Sequence, residues 1–383
     1  MKTLILVAVF GWCWLPALLQ AATKDSAPDP LFADDAPLEI TLRGPFLEID
    51  KERDKAAVYP AGALHYSDGE RTISIDTRFQ PRGNFRLEKE NCQHAQLWLQ
   101  FKKKQVRETV FANQKRLKLV VQCKNSQRYQ GYLRKEFQAY RMLNRLTDRS
   151  YRVRWAEVTY QTLEGETLRT QPAFFVEHKN RLADRLTLEA VSVERIRKNK
   201  LEPEQATMAS LFNYMIGNAD FSLITSKEGN CCHNAKLLQG ADGSYIPVIY
   251  DFDSSGYVSA PYAETPPDLN LRSVRQRIYR GFCTEPEVLE KALGEFRLHR
   301  EALLDLANET LYESKWMARS AVKYIDSFYT VIDNPNSLAD RSPRCADDSP
   351  RAAKATCDAT RLRVVGCITA NDHYTLSSVQ HSG

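Results

Sequence analysis

The pattern of hydrophobic and polar positions differs between the two halves of the chain. Short runs rich in β-branched and aromatic residues fill the first half and predict strands over 38–42, 72–79, 96–101, 117–121, 151–160 and 173–176. Within this half, segment 133–146 instead places its hydrophobic residues at helical spacing among charged ones. The pattern predicts a mainly β region over 37–177 that contains one strong helix.

Helical spacing prevails after residue 178. Pro203 suits the first turn of a helix that reaches Gly217, and further helices are predicted over 285–296, 300–311 and 314–329. Two short β runs, 235–238 and 245–250, flank a glycine-containing turn and predict a hairpin. The sequence therefore predicts an α+β protein, with a β-rich part over 37–177 and a mainly helical part over 178–332.

Both ends of the chain differ from this body. Residues 1–21 carry one charge, Lys2, then a short apolar stretch and small residues, which is the pattern of a secretory signal peptide. The stretch is short for a membrane span of ~20 residues. We therefore expect an exported protein, periplasmic or extracellular, with no membrane span after cleavage. Residues 22–36 predict a linker, and 333–383, rich in Pro, Ser, Ala and Asp, predict a poorly structured tail.

Composition narrows the classes of protein. A net charge of +5 over 383 residues is mild and does not predict a nucleic-acid partner. Of the nine cysteines, Cys13 lies in the predicted signal peptide and eight remain, an even number that predicts disulfides in an exported chain. Cys92 and Cys123 lie at the ends of β-rich segments, and we expect them to form one bridge.

Candidate chemistry concentrates between residues 217 and 256. Asp220 follows a helix that is predicted to be buried, Asn234 opens one strand of the hairpin, and Asp251 closes the other. The hairpin should bring Asn234 and Asp251 together. Mg²⁺ binds carboxylate and amide oxygens together with phosphate oxygens. In phosphoryl transfer one Asp orients the nucleophile, while an Asn and a second Asp hold the metal. The pattern predicts Asp220 as catalytic base and Asn234 and Asp251 as metal ligands, with ATP and Mg²⁺ or Mn²⁺ as cofactors.

The order of these motifs resembles a known family. Asn218-x-Asp220, then His233-Asn234, then an apolar run ending in Asp251-x-Asp253 is similar to the pattern of the spore-coat-H-type (CotH) secreted kinases. The resemblance implies a two-lobe, protein-kinase-like fold, with a β-rich small lobe over 37–177 and a helical large lobe over 178–332. It adds Asp253 to the metal ligands, although this carboxylate could also only hold the turn that follows.

The resemblance also implies residues that bind the nucleotide. A kinase small lobe needs a strand Lys on the phosphates and a helix Glu that pairs with it. These roles fall to Lys118, with Lys102 as the alternative, and to Glu136. Arg82, in Arg-Gly-Asn, and Glu177, at the end of Phe-Val-Glu, match two further family motifs. The chain departs from ordinary kinases because Asp220 and Asn234 are 14 positions apart and because it lacks a glycine-rich phosphate loop.

Other interpretations of the same residues remain open. Asp251 and Asp253 could cap a turn, Lys118 and Glu136 could be surface charges, and Arg82 and Arg86 could be strand-edge charges. Three functions follow: a kinase for an unknown envelope or secreted protein or glycan, a non-catalytic kinase-like binding protein of the envelope, and a metal-dependent glycosyltransferase. The third would use Asp251-x-Asp253 as its diphosphate–metal motif and leaves Asp220 and Asn234 unexplained.

Overall fold

A computed structural model describes residues 29–60, 62–226, 231–309 and 314–334. The predicted signal peptide, residues 22–28 of the predicted linker and residues 335–383 of the predicted tail lie outside the described residues. Residues 29–36 contact the rest of the protein, since Leu31 and Phe32 are buried and Asp29 forms a 2.7 Å ion pair with Arg181.

The first half of the chain forms a closed barrel of seven strands in the order β1-β2-β3-β4-β5-β7-β6. Neighbouring strands pair antiparallel, except that β1 closes the barrel by pairing parallel with β6. The strands are β1 (Leu38–Arg43), β2 (Ala63–Ser67), β3 (Thr72–Arg82), β4 (Gln96–Phe101), β5 (Arg116–Val121), β6 (Val153–Gln161) and β7 (Thr167–Val176). Helices α1 (Phe46–Glu52), α2 (Lys103–Val106) and α3 (Gln127–Leu146) lie between them in the chain.

The second half combines helices with a small sheet. Strands β8 (Glu189–Val191), β9 (Ala235–Gln239) and β10 (Tyr245–Ile249) form an antiparallel sheet in the order β10-β9-β8. The helices are α4 (Lys179–Leu186), α5 (Pro203–Ile216), α6 (Pro286–Leu298), α7 (Arg300–Asn308) and α8 (Lys315–Ile332). Helix α5 begins as the sequence predicts, with Pro203 in its first turn, and ends at Gly217 in the left-handed conformation that glycine adopts readily.

Two hydrophobic clusters stabilise the described residues. One fills the barrel, and Leu117 and Leu119 of β5 belong to it. The other is larger and joins α3, the outer faces of β6 and β7, the small sheet and the C-terminal helices. Val120 of β5 contributes to this second cluster because successive side chains of a strand point to opposite faces. Helix α3 therefore packs in a core that both halves of the chain share.

The α+β class is confirmed, but the expected two-lobe kinase-like fold with a helical C-terminal lobe is wrong. The described residues form a closed seven-stranded mixed barrel and eight α-helices. The barrel closes because Leu38 of β1 lies in register with Ala156 of β6, a pairing between distant segments that local hydrophobic patterns do not reveal. The half expected to be helical also contains the sheet of β8, β9 and β10.

Two further sequence expectations concern cysteines and the membrane. Cys92 and Cys123 form a disulfide, which confirms the predicted bridge, and Cys231 is bonded to Cys232. None of the helices in the described part of the chain combines the length and the apolar character that crossing a membrane requires.

Candidate functional site

Helix α3 positions two side chains of the candidate site. Ser126 caps its N-terminus by accepting a hydrogen bond from the backbone N–H of Tyr129. Glu136 and Tyr140 are four residues apart and therefore lie on one face of the helix. Glu136 is 1% exposed, and the Tyr140 hydroxyl accepts a 2.9 Å hydrogen bond from the backbone N–H of Asp251. Helix α3 thus supplies the Glu136 carboxylate itself and, through the Tyr140 hydroxyl, holds the backbone of Asp251.

The hairpin of β9 and β10 places Asn234 and Asp251 at the same end. Ala235 lies opposite Ile249, and the next backbone pair follows, since the N–H of Tyr250 donates to the carbonyl oxygen of Asn234 at 3.0 Å. Both Asn234 (φ 49°) and Asp251 (φ 65°) adopt the left-handed backbone conformation, which Asn and Asp tolerate better than most residues. The chain turns away from the hairpin at these two positions, and their side chains remain at its end.

A cluster of three carboxylates forms between α3 and this hairpin. Glu136, Asp251 and Asp253 each contribute one oxygen, and these oxygens lie within 4.8 Å of one another. Oε1 of Glu136 is buried and has no hydrogen-bond partner. Buried polar atoms are normally satisfied, so this oxygen can accept a further partner. Hard divalent cations bind through such oxygens, and these three residues could hold one.

Arg86 bridges two of the carboxylates. Its Nη2 lies 2.7 Å from Oε2 of Glu136 and 2.6 Å from Oδ2 of Asp253, and its Nε donates to the same Asp253 oxygen at 3.0 Å. Burial by itself would lower the pKa of Arg86, but the charges of Asp253 and Glu136 raise it well above its ordinary value. The guanidinium is therefore permanently charged.

The loop that carries Arg86 is anchored to the barrel on its C-terminal side. Arg86 lies in a single 3-10 turn, Phe85–Leu87, between β3 and β4. The disulfide of Cys92 and Cys123 ties the end of this loop to the end of β5. The Arg53 guanidinium also donates hydrogen bonds to the carbonyl oxygens of Leu87 and Cys92, at 3.0 and 2.8 Å. These contacts hold the loop against the barrel.

Two further cations lie near the carboxylates without being paired to them. Lys118 projects from the outer face of β5, and Arg82 ends β3. Both residues pair with neighbouring strands, but neither side chain forms a hydrogen bond or an ion pair with any residue that the structure describes. Instead the Lys118 ammonium lies 5.4 Å from the ring centroid of Tyr250, and the Arg82 guanidinium 5.5 Å from that of Trp98. Positive groups without carboxylate partners attract an anion.

The pKa values of the cluster show how strongly its charges interact. Burial, with the nearby charge of Arg82, lowers the pKa of Lys118 to about 8. Burial raises the pKa of Glu136 to about 7, against the opposing charge of Arg86. Burial alone would also raise the pKa of Asp251, but Lys118, Arg86 and Arg82 together hold it below its ordinary value. Asp251 is therefore ionised at neutral pH.

Asp220 lies on the loop after α5, next to the cluster. Its Oδ1 is 2.6 Å from Nε2 of His233, and its Oδ2 accepts a 3.0 Å hydrogen bond from Nδ2 of Asn234. The amide nitrogen of Asn234 is thereby committed to Asp220, while its amide oxygen makes no hydrogen bond to any described residue. Arg280 fixes the loop by donating to the carbonyl oxygens of Ala219 and Phe221. The Asp220 side chain is 40% exposed, so a substrate can reach it.

A small, open depression lies beside Asp220. Gly217 and Ala219 form one side of it, and Ser254, Glu264 and Thr265 lie among its other lining residues. Gly217 has no alternative at this position, because its φ is 63° and a Cβ there would collide with the Tyr324 hydroxyl.

The structure brings most of the sequence-predicted site residues together and leaves one outside. Seven of them surround the site: Lys118, Glu136, Arg82, Asp220, Asn234, Asp251 and Asp253. Glu177 does not join them. Its side chain is 1% exposed, and its two carboxylate oxygens each lie 3.1 Å from Arg185, with one also accepting from the backbone N–H of Arg152. It acts as an internal ion-pair partner.

The pairing inside the site differs from the one that the resemblance implies. Glu136 pairs with Arg86, and no ion pair joins it to Lys118. Lys102, the alternative to Lys118, is 74% exposed and faces Asp76. Sequence reasoning underrated Arg86 and missed Tyr140. The available signal for Tyr140 was helical spacing, since Tyr140 follows Glu136 by four residues within the predicted helix.

Comparison with known proteins identifies neither a family nor a relative of the chain. No protein-family model matches the chain, and no curated protein is significantly similar to it. Function is therefore argued from the chemistry of the site.

Proposed function

We propose that this site binds a divalent cation together with a nucleoside triphosphate, such as ATP, and transfers the terminal phosphoryl group to a hydroxyl acceptor. One observation carries the proposal: three clustered carboxylates, one with an unpartnered buried oxygen, lie beside two cations, Lys118 and Arg82, whose side chains form no ion pair with the described residues. Carboxylates alone would suit a cation and basic residues alone an anion. Both together suit a metal–polyphosphate complex.

Each residue has a role in this proposal. Asp251 and Asp253 would hold the metal, with the amide oxygen of Asn234 as a further ligand, and Lys118 and Arg82 would bind phosphate oxygens. Asp220 would accept the proton of the acceptor hydroxyl as its oxygen attacks the terminal phosphorus. The bond from that phosphorus to the bridging oxygen breaks, and the nucleoside diphosphate leaves with the electron pair. Predicted export and the Cys92–Cys123 disulfide favour an envelope or secreted protein or glycan as acceptor.

A second candidate is a protein that binds the metal–nucleotide complex without transferring phosphate. The observation that favours it is the engagement of both Asp220 oxygens, one by His233 and one by Asn234. A base that is fully hydrogen-bonded has to exchange a partner before it can accept a proton. The two candidates share the binding site and differ only at the transfer step.

Matched carboxylate variants test the proposal. Mn²⁺-dependent ATP binding would be measured by calorimetry, and radiolabel transfer from ATP by incorporation into envelope extracts. Asp251→Asn should abolish binding, because it removes an ionised ligand from a site with few ligands. Asp220→Asn should leave binding intact and lower transfer roughly 10²–10⁴-fold. Asp50→Asn, which changes a half-buried carboxylate that His94 holds at 2.8 Å outside the site, is the control and should bind and transfer normally.

Three outcomes separate the candidates. Metal-dependent binding that Asp251→Asn removes, with transfer that Asp220→Asn removes, supports the phosphotransferase. Metal-dependent binding without transfer supports the binding protein. The proposal is wrong if the wild-type protein shows no metal-dependent binding of any nucleoside triphosphate.

A further inference from the structure

Arg86 lies between two carboxylates that would also be ligands of a bound metal ion. One nitrogen, Nη2, contacts both Glu136 and Asp253, at 2.7 and 2.6 Å. Both carboxylates belong to the group that could hold a metal ion. Without a positive charge between them, buried carboxylates this close together would repel each other. The guanidinium supplies that charge from within the chain.

The arrangement sets Arg86 and a metal ion in competition. A carboxylate oxygen that accepts a short charged hydrogen bond offers less to a metal, and Arg86 makes such bonds to Glu136 and to Asp253. The cluster is nevertheless incompletely satisfied, because Oε1 of Glu136 has no partner. A guanidinium therefore holds the group together without using all of its binding capacity.

The surroundings of Arg86 offer an alternative binding partner when a phosphate is bound. Lys118 and Arg82 already form a positive region beside the carboxylates, and both act on Asp251 together with Arg86. A phosphate group bound there would attract a third cation. Arg86 is carried by a short 3-10 turn rather than by a strand, and its guanidinium carbon lies 5.9 Å from the Tyr262 ring centroid. A change of partner by the side chain would leave the loop in place, because the disulfide of Cys92 anchors the loop separately.

We infer that Arg86 is an internal placeholder cation, which bridges Glu136 and Asp253 in the empty site and transfers to the phosphates when a metal–nucleotide complex binds. The inference rests on the proposed function and adds a regulatory step to it. Free metal competes with Arg86, whereas metal that arrives with phosphate gains Arg86 as a partner. The site thereby discriminates in favour of the complex over the metal alone.

Replacing Arg86 should consequently shift two affinities in opposite directions. In Arg86→Gln the competitor is gone, so Mn²⁺ without nucleotide should bind about 10-fold more tightly. ATP at saturating Mn²⁺ should bind about 10-fold more weakly, because a charged hydrogen bond to phosphate is lost. A merely structural role would weaken both. Arg86→Lys keeps the charge but cannot bridge two carboxylates in the same way, so it should show the Mn²⁺ gain with a smaller loss for ATP.

The experiment measures Mn²⁺ binding by electron paramagnetic resonance, then ATP binding by calorimetry, for the wild type, both Arg86 variants and Arg185→Gln. Arg185 also pairs with a buried carboxylate, that of Glu177, but lies outside the site, and its variant should change neither affinity. If Arg86→Gln does not fold, as circular dichroism would show, Arg86→Lys carries the test with the same expected signs for Mn²⁺.

The outcomes distinguish the two proposals. Opposite shifts in the Arg86 variants support the placeholder. If the wild type binds Mn²⁺ and ATP but the Arg86 variants bind Mn²⁺ no more tightly, the placeholder is wrong and the proposed function stands. If no protein in the set binds ATP in the presence of Mn²⁺, the proposed function fails and the inference fails with it.

Discussion

Replacing Tyr140 by Phe removes a single oxygen atom on which the position of Asp251 depends. The Tyr140 hydroxyl accepts the backbone N–H of Asp251 at 2.9 Å, and Tyr140 itself is fully buried. Asp251 adopts a left-handed backbone with φ of 65°, a conformation that costs a non-glycine residue about 1 kcal/mol or more. The hydrogen bond helps to offset that cost, so Tyr140→Phe should affect both the fold and the site.

The expected loss of stability in Tyr140→Phe follows from the geometry of this hydrogen bond. A partly buried N–H that loses its acceptor costs roughly 1–2 kcal/mol in the free energy of unfolding, at the lower end for such groups. In a protein of this size that corresponds to a melting temperature about 1–3 °C lower. If the same free energy is needed to keep Asp251 in place for a metal, the affinity for Mn²⁺–ATP should fall about 10-fold.

Tyr329→Phe provides the matched control. The Tyr329 hydroxyl donates a 3.0 Å hydrogen bond to the carbonyl oxygen of Phe296, and the residue is as buried as Tyr140. Urea unfolding should show a similar loss of stability in both variants, while calorimetry should show weaker Mn²⁺–ATP binding only in Tyr140→Phe. Equal affinities in the two variants, at equal loss of stability, would refute the link between Tyr140 and the site.

Two further predictions concern stability. Replacing Cys92 and Cys123 by Ala opens a cross-link over 31 positions and should lower the free energy of unfolding by about 3–4 kcal/mol, measured in urea against the wild type with and without reductant. An unchanged value would contradict it. Burial would raise the pKa of Asp50, but the hydrogen bond from His94 and the charge of Arg169 outweigh it and lower the pKa below 3.8. Ionised Asp50 therefore stabilises the fold above pH ~4, and Asp50→Asn should cost roughly 2 kcal/mol at pH 7. The difference should shrink as the pH falls below 3.8, the ordinary value from which the Asp50 pKa is lowered, and a difference that grows would refute it.

Local sequence determined most of the helices and strands, and it determined which polar residues lie at their ends. Alternation along β5 indicates that Lys118 and Leu117 face opposite sides, because side chains of a strand alternate, and the structure has Leu117 in the barrel core. Turn chemistry around the β9–β10 hairpin likewise puts Asn234 and Asp251 at one end. These features depend on residues a few positions apart, and a local pattern is enough to encode them.

Tertiary structure alone decided how these elements combine. The barrel closes through β1 and β6, and the site is assembled by Arg86, which reaches Glu136 across 50 positions and Asp253 across 167. Tertiary packing also keeps Glu177 out of the site, because it places Arg185 close enough to pair with the Glu177 carboxylate. Motif order identified most of the residues that the fold brings together around the carboxylate cluster. Their partners depend on which distant surfaces pack together, and charges pair only after that packing has set the distances between them.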